Sequence, residues 1–185
     1  LLPEKEKRAL LYGDWDSFAG QVFSEWRNDP SHYEDRLWSH VIKEFLIPKS
    51  WKIFRGFDFG YSRPFAVEWI AVDHDGRAYV IAELYGCTGT PNEGVRYTPV
   101  EIARKIKDFE SQHPNLKGRK IRGIADPAIA KAETGESIAD MFLREGVFFD
   151  FGDNERLAGK MQFHYRFAFD ESGIPMMYVF NSCRH

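Results

Sequence analysis

The stretch "FRGFDFGYSRPFAV", residues 54 to 67, decides the fold because it places one acid inside an aromatic and apolar run. That acid is Asp58, and Arg55 and Arg63 stand on either side of it. A carboxylate removed from water needs an ionic partner, hydrogen-bond donors or a metal ion. The composition of the stretch predicts a strand. If the strand is buried, the group that satisfies Asp58 defines the chemistry of the protein.

The overall composition is that of an ordinary soluble globular protein and gives little functional direction. Of the 185 residues, 43% are hydrophobic and 29% charged, and the formal net charge is -3. Nucleic acid binding therefore requires a local patch, since phosphate contacts depend on clustered Lys and Arg. Cys87 and Cys183 have no C-x-x-C spacing, which favours a reduced intracellular setting over a disulfide. No apolar run is long enough to predict a membrane span.

Three β-rich runs follow Trp51 and predict an antiparallel meander. The second and third, "PFAVEWIAVD" and "AYVIAELYG", are joined by "DHDGR", in which Asp-Gly favours a tight hairpin. Thr98 then predicts a helix N-cap, with Pro99 at the first helical position and Glu101 completing a capping box. Later segments alternate: a strand in "KIRGIADPA", a helix in "GESIADMFLREG", a strand at "VFFDF", a helix in "NERLAGKMQFHYRFAF" and a strand at "PMMYVF".

This order, β-β-β-α-β-α-β-α-β, predicts an α/β fold of the ribonuclease H-like type, a mixed sheet with helices on both faces. A Rossmann-type chain would alternate strands and helices from its start, and this one does not. We expect residues 51–185 to form this domain and residues 1–50 to be an N-terminal linker that packs on it. Four tryptophans are predicted to hold that linker on the core: Trp15, Trp26, Trp38 and Trp51.

Two strand-end acids are the candidate catalytic residues. Asp58 lies near the end of the first run, and Asp126 ends the strand in "KIRGIADPA". In this topology the two strands are neighbours, so the acids meet at one sheet edge. Adjacent carboxylates repel each other unless a cation joins them, and Mg²⁺ or Mn²⁺ prefers oxygen ligands and would support phosphodiester hydrolysis. The alternative for each acid alone is a helix cap or a turn.

Three segments resemble the nuclease part of tailed-phage terminase large subunits: "GDWDSFAGQVFSEW", "IPKSWKIFRGFDFGYSRPFAVEWIAVDHDGRAYVIAELYG" and "IADPAIA". The resemblance covers essentially the whole chain. It implies a metal-dependent endonuclease that cuts concatemeric DNA during genome packaging, with Asp58 and Asp126 as the first two metal-binding acids for two Mg²⁺ or Mn²⁺ ions. The implied partners are double-stranded DNA, a packaging ATPase domain, the portal and the small terminase subunit, in the cytoplasm of an infected or lysogenic bacterium.

The sequence departs from the family pattern at its C-terminal end. In the family, a third acid comes from a segment rich in Asp and His, and this sequence ends at His185 before any such segment. The G-x-x-x-x-G-K-[ST] loop of the packaging ATPase is also missing from it. We therefore expect a nuclease domain truncated at its C-terminal end, with an incomplete metal site, weak metal binding and weak or no cleavage.

Other charged residues are candidates for the same region. Glu83 could supply a further acid, although solvent exposure or pairing with a neighbour is the simpler interpretation of a strand position. Asp153 could approach the same edge or cap the following helix. Four basic residues are candidate DNA contacts, with a plain surface position as the alternative for each: Arg63, Lys131, Arg156 and Lys160.

Two other functions remain open from the sequence. "GFDFGYS" also resembles the D-x-G phosphate loop of actin-like sugar kinases and ATPases. Those proteins need a second Gly-rich loop, for which "ADPAIA" is a poor match, and a longer chain. The other alternative is a non-catalytic docking domain of the packaging motor that keeps the fold. Substitution of Asp58 separates a docking domain from a nuclease, because only the nuclease would lose DNA cutting.

Overall fold

A mixed β-sheet is the centre of the structure. A computed structural model describes residues 23–132, 135–153 and 155–184. Its strands are β1 (Val41–Ile42), β2 (Lys52–Asp58), β3 (Ala66–Val72), β4 (Ala78–Tyr85), β5 (Ile121–Ala125), β6 (Asp150–Phe151) and β7 (Met177–Phe180). Its helices are α1 (Pro99–Gln112), α2 (Ile138–Arg144) and α3 (Arg156–Phe167), with 3₁₀ turns at Pro30–His32 and Pro127–Ala130. The predicted order of elements after Trp51 is confirmed, and β1 is an additional strand.

The strand order in the sheet is β1-β7-β4-β3-β2-β5-β6. The meander β2-β3-β4 is antiparallel, whereas β5 joins β2, β6 joins β5, and β7 joins β4 in parallel. The parallel neighbours are linked by crossovers that carry the helices, as parallel pairing requires. The two edge strands, β1 and β6, contain two residues each. This arrangement is the mixed sheet of a ribonuclease H-like fold.

Local sequence signals place several element ends as predicted. In the β3-β4 hairpin, Asp73 Oδ1 accepts hydrogen bonds from the backbone N–H groups of Asp75 and Arg77, both at 2.9 Å, and Gly76 has a φ of 81°. Thr98 and Glu101 form the predicted capping box at the start of α1. These interactions satisfy backbone groups that a turn or a helix end would otherwise leave without partners.

Alternation along the strands divides the side chains between two faces of the sheet. On one face, the inward residues of β2 and β3 pack against α1 and α2 in a cluster that includes Ile53, Phe57, Val67, Trp69, Ile102, Ile106 and Phe142. On the other face, Phe167 at the end of α3 packs with Ala78, Val80 and Met177. Helices therefore cover both faces, as the sequence predicts. Within the described ranges, every helix is too short or too polar to cross a bilayer.

Arg55, rather than Asp58, is the charged residue of β2 that is buried. It is 4% exposed, its Nη1 lies 2.6 Å from Glu110 Oε1, and its Nη2 donates to the carbonyl of Phe148 at 3.0 Å. The same Glu110 oxygen accepts from Trp69 Nε1 at 2.9 Å. One carboxylate therefore ties β2 and β3 to α1. Arg55 Nε is buried without a hydrogen-bond partner among the described residues.

The segment before β2 contacts the sheet through aromatic residues. Trp26 stacks on His40 with ring centroids 5.0 Å apart, and Trp51 lies 4.9 Å from the Tyr79 ring. Trp38 is 41% exposed, and Trp15 lies outside the described residues. The domain boundary at residue 50 stays a prediction. The pairing of β1 with β7 adds a piece of the N-terminal segment to the sheet itself.

Candidate functional site

Asp58 and Asp126 leave the sheet side by side. β2 and β5 are parallel neighbours with Phe57 opposite Ala125, and the next residue of each chain segment is the acid. Both acids line one open depression of about 450 Å³, which we call the acidic depression. The structure thus brings together the two residues that the topology predicted to meet. Their role as metal ligands stays a prediction.

The sequence suggests that the Asp58 carboxylate is buried in a strand, and the structure shows that it is not. Asp58 is the last residue of β2 and its side chain is exposed. Strand alternation explains this, because Arg55 and Phe57 face the core while Asp58 faces the other side. No described residue donates a hydrogen bond to the Asp58 carboxylate or pairs with it ionically. The carboxylate is therefore exposed to solvent and accessible to a cation.

Asp126 has the capping role that was its structural alternative. It is the N-cap of the 3₁₀ turn Pro127–Ala130, where its Oδ1 accepts from the Ala128 N–H at 2.7 Å. Its Oδ2 accepts no hydrogen bond from the described part of the chain. Capping fixes the orientation of the carboxylate and leaves one oxygen for another ligand.

A third acid, Asp153, lines the same depression. β6 is a parallel neighbour of β5, and the Gly152 N–H donates to the Ala125 carbonyl at 2.9 Å, which brings the chain after β6 to this edge. Asp153 Oδ1 accepts from the Glu155 N–H at 3.0 Å, a local turn just before α3. Of the two interpretations from the sequence, proximity to the edge describes its position, whereas the N-cap of α3 is Glu155 and Asp153 does not cap the helix.

Close backbone packing shapes the loop that follows Asp58. A Cβ atom on Gly60 would lie 2.4 Å from the carbonyl oxygens of Arg63 and Pro64. The segment after β4 also packs against this loop, because the Gly94 N–H donates to the Ser62 carbonyl at 2.9 Å. Gly60 is therefore required by the internal packing of this turn. Backbone packing therefore explains why residue 60 is glycine, and a D-x-G phosphate loop is not needed to explain it.

Glu83 belongs to a different part of the sheet. It lies on β4 opposite Glu68 of β3, and it accepts a hydrogen bond from the Arg184 N–H. It is not among the residues that line the acidic depression. Burial raises the pKa of Glu68, and the nearby charge of Glu83 raises it further. Of the acids considered from the sequence, Glu83 is thus the one that does not line the acidic depression, and its role as a further acid stays a prediction.

The candidate basic residues lie on the elements that frame the depression. Arg63 is exposed in the loop after Asp58, Lys131 is exposed at the end of the 3₁₀ turn after Asp126, and Lys160 is exposed on α3. Arg156 is the first residue of α3, and its side chain lies outside the described atoms. Their contact with DNA stays a prediction.

The chemistry of the acids suits a hard divalent cation that keeps part of its water. Mg²⁺ and Mn²⁺ are commonly bound through one or two carboxylates together with waters and substrate phosphates. Residues 23–132, 135–153 and 155–184 contain no group of three or more His, Cys, Asp or Glu side chains arranged to hold a metal ion. Asp153 therefore lines the depression without completing a ligand set with Asp58 and Asp126.

The fold is that of the nuclease domains of phage large terminases, which confirms the resemblance at the level of the fold. The P22 large terminase nuclease domain has a TM-score of 0.56 and 16% identity, over 88% of this chain and 76% of that one. The large terminase from the thermophilic bacteriophage D6E has a TM-score of 0.61 and 16% identity, over 88% of this chain and 34% of that one.

The D6E protein in complex with ADP is also similar, with a TM-score of 0.57 and 18% identity over 78% of this chain and 32% of that one. The chain thus spans about a third of the length of the D6E large terminase. No family model matches the sequence, and no curated protein matches it.

Proposed function

We propose that the chain is the nuclease domain of a terminase large subunit and hydrolyses phosphodiester bonds in double-stranded DNA with divalent metal ions. The observation that carries this proposal is the meeting of Asp58 and Asp126 at the ends of two parallel strands, on a fold shared with terminase nuclease domains. In the complete protein, the substrate would be concatemeric DNA during genome packaging.

Asp58 and Asp126 are the residues that would hold Mg²⁺ or Mn²⁺. Neither carboxylate is neutralised by a basic side chain of the described residues, and like charges at neighbouring strand ends favour a bound cation. Bound metal ions supply activation of water and stabilisation of the leaving oxygen in phosphodiester hydrolysis. Asp153 adds negative charge to the same depression and would strengthen cation binding from its rim.

The basic side chains around the depression would position the DNA. Arg63, Lys131 and Lys160 are exposed on three elements that adjoin Asp58, Asp126 and Asp153. Contacts of this kind neutralise phosphates and set the register of a duplex without reading its sequence. Arg156, at the first turn of the same helix as Lys160, would add a fourth contact.

The proposed partners in the complete protein are a packaging ATPase domain, the portal and the small terminase subunit. The support for the ATPase domain is that the D6E large terminase is about three times as long as the region this chain matches, and one similar structure of it contains ADP. The packaging context as a whole is supported by the shared fold.

Metal binding is tested by titrating the chain with Mn²⁺ and following paramagnetic broadening of its amide NMR signals. We expect the signals next to Asp58, Asp126 and Gly152 to broaden first. Asp58→Asn and Asp126→Asn should each weaken this site by about tenfold or more, because loss of groups that merely orient a ligand already costs that much. Asparagine is the appropriate replacement at Asp126, since it still caps a helical turn.

The matched control is Asp75→Asn in the β3-β4 hairpin, which removes one negative charge far from the depression and should leave Mn²⁺ binding unchanged. Broadening that is centred elsewhere, or that survives both substitutions, would contradict the metal site. Asp153→Asn should have a smaller effect than either substitution.

Cleavage is tested by nicking of supercoiled plasmid in Mn²⁺. We expect slow nicking by the unaltered chain and none by Asp58→Asn or Asp126→Asn, with Asp75→Asn as active as the unaltered chain. Equal nicking by Asp58→Asn would place the reaction at another site and favour a docking role for this domain.

A further inference from the structure

Basic residues cluster at the end of the sheet opposite the acidic depression. Two adjoining depressions there, of about 410 and 420 Å³, share Arg119, Lys120 and Arg122 in their walls. We call the combined surface the basic groove. Its lining contains six cationic side chains, Lys49, Lys52, Arg55, Arg119, Lys120 and Arg122, against two carboxylates, Glu110 and Asp150. On a chain with a net charge of -3, this is a local concentration of positive charge.

Both carboxylates of the groove are already neutralised within it. Glu110 pairs with Arg55 at 2.6 Å, and Asp150 pairs with Arg122 at 2.6 Å. The remaining cations, Lys49, Lys52, Arg119 and Lys120, have no carboxylate partner among the described residues. Their positive charge is therefore available to an external anion.

Arg119 organises the groove by joining its two basic segments. Its guanidinium donates to the carbonyls of Ile47, Pro48 and Trp51, at 3.3, 3.1 and 2.7 Å. These bonds hold residues 47–52, which contain two of the lysines, against the segment that leads into β5. Backbone carbonyls satisfy the donors of Arg119 without cancelling its charge. The groove is thus pre-formed and cationic rather than a collection of independent surface lysines.

The groove also contains aromatic surface, and its lysine-rich part lies at the other end of β2 from the candidate cleavage site. Trp51 and Phe54 line one depression, and Phe148, which is 59% exposed, lines the other. Lys52 and Asp58 are the two ends of β2, so Lys52 is about 20 Å from Asp58 at the usual rise per strand residue, whereas the Arg55 side of the groove extends to Gly123 and Asp150, near the acidic depression. A phosphate bound beside Asp58 therefore does not contact Lys52 at the other end of β2.

We propose that the basic groove is a second DNA-contacting surface, which binds the phosphate backbone of a duplex away from the cleavage site. The inference of a polyanionic partner rests on the charges alone. The choice of DNA rather than an acidic protein surface rests on the proposed function. Binding there would be insensitive to sequence and strongly dependent on salt, because it consists of phosphate contacts.

The test is fluorescence anisotropy of a labelled duplex of about 30 base pairs in EDTA, at salt concentrations from about 50 to 200 mM. The variant Lys49→Ala/Lys52→Ala/Lys120→Ala should lower the affinity by about tenfold or more at the lowest salt. The slope of log K against log salt should decrease by about one for each lysine that contacts a phosphate. Thermal unfolding of the variant verifies that these exposed positions leave the fold intact.

The control Lys43→Ala/Arg104→Ala/Lys105→Ala changes the net charge equally at other surfaces and should leave affinity within about twofold. Wild-type affinity in the groove variant would overturn the proposal, as would a chain that binds poly-L-glutamate through the groove but not DNA. Asp58→Asn separates the two proposals: it should abolish nicking and keep duplex binding. Nicking that persists in Asp58→Asn would therefore contradict the proposed function without contradicting the groove proposal.

Discussion

Arg55 and Glu110 place opposite charges in the interior, between β2 and α1. A buried ion pair stabilises little by itself, because desolvation of both groups offsets their attraction. Here the geometry is reinforced: Glu110 also accepts from Trp69, and the Arg55 guanidinium lies 4.6 Å from the centroid of the Phe149 ring. The main effect of the pair is therefore to fix β2 and β3 under α1, and its net contribution to the free energy of unfolding is small.

Removal of one partner should be costly at this position. We expect Glu110→Ala to lower the free energy of unfolding by about 3 kcal/mol or more, because it leaves the Arg55 charge buried without its counter-ion. The double variant Arg55→Met/Glu110→Gln should recover a large part of that loss, since it removes the charge and keeps an acceptor for Trp69. Urea denaturation measures all three proteins.

The exposed pair between Arg104 and Glu145, with N···O at 3.1 Å, is the control. Arg104→Ala should cost less than about 1 kcal/mol, as is usual for surface ion pairs. Equal costs at the two pairs would contradict the distinction between the interior pair and the surface pair.

At the scale of elements, the loop from β2 to β3 depends on backbone contacts rather than on side chains. Gly60 and Gly94 both lie against carbonyl oxygens of this loop, at distances where a methyl group does not fit. Gly56, within β2, has only the Glu68 carbonyl at 4.0 Å from a Cβ position. A side chain larger than hydrogen is therefore excluded at Gly60 but has space at Gly56.

We expect Gly60→Ala to lower the free energy of unfolding by about 2 kcal/mol, a typical cost of overpacking, and to weaken Mn²⁺ binding because the loop begins beside Asp58. Gly56→Ala should change stability by about 0.5 kcal/mol or less, since the site has space and strand geometry. Urea denaturation and the Mn²⁺ titration measure both variants. Similar losses for the two would contradict the packing argument.

The sequence predicts those elements whose ends carry local chemistry. The Thr98-Glu101 capping box and the Asp-Gly hairpin are recognisable because their hydrogen bonds join residues close in sequence. The strand predicted over "VFFDF" is shorter, at Asp150–Phe151, because the Phe148 carbonyl accepts from Arg55 rather than from a strand. β1 has two residues and no periodicity, so it gives no signal in the sequence.

The candidate site follows from topology, and its details do not. Parallel pairing of β2 with β5 predicts the meeting of Asp58 and Asp126 once the element order is known. Which acid is buried depends on the face that each residue of β2 occupies, and apolar residues on both faces hide that alternation in "KIFRGFD". The basic groove is also hidden, because Lys52 and Lys120 belong to segments far apart in the sequence.

At the scale of the whole molecule, His40 connects the N-terminal segment to the end of α3. It is fully buried; its Nδ1 accepts from the Arg27 N–H, and its Nε2 donates to the Phe167 carbonyl, both at 2.9 Å. These bonds use the neutral imidazole, and burial lowers the pKa of His40 below its ordinary value. Protonation of Nδ1 would remove the acceptor for the Arg27 N–H and place a charge in a buried position, whereas the bond from Nε2 to the Phe167 carbonyl would remain.

His40 therefore binds a proton more readily in the unfolded chain than in the folded chain. The contribution of His40 to stability is complete above its unfolded pKa of about 6.5, and it is lost as the pH falls below that value. We expect the free energy of unfolding to decrease between pH 7.5 and 5.5 in urea titrations, and His40→Gln to flatten that decrease.

His113, whose pKa is also lowered by burial, serves as the comparison in the same pH range. His113→Gln should retain the part of the slope that belongs to His40. An unchanged slope in His40→Gln would mean that other groups control the acid sensitivity.

The two-residue strands β1 and β6 at the margins of the sheet determine how copies of this molecule behave when they are crowded. A long open margin would offer a row of unpaired amides and carbonyls to the next copy, the starting point of fibrous aggregation. Here each margin offers only a two-residue step, and β6 contributes the charged Asp150 to one of them. Concentrated solutions of the chain should therefore resist strand-to-strand polymerisation.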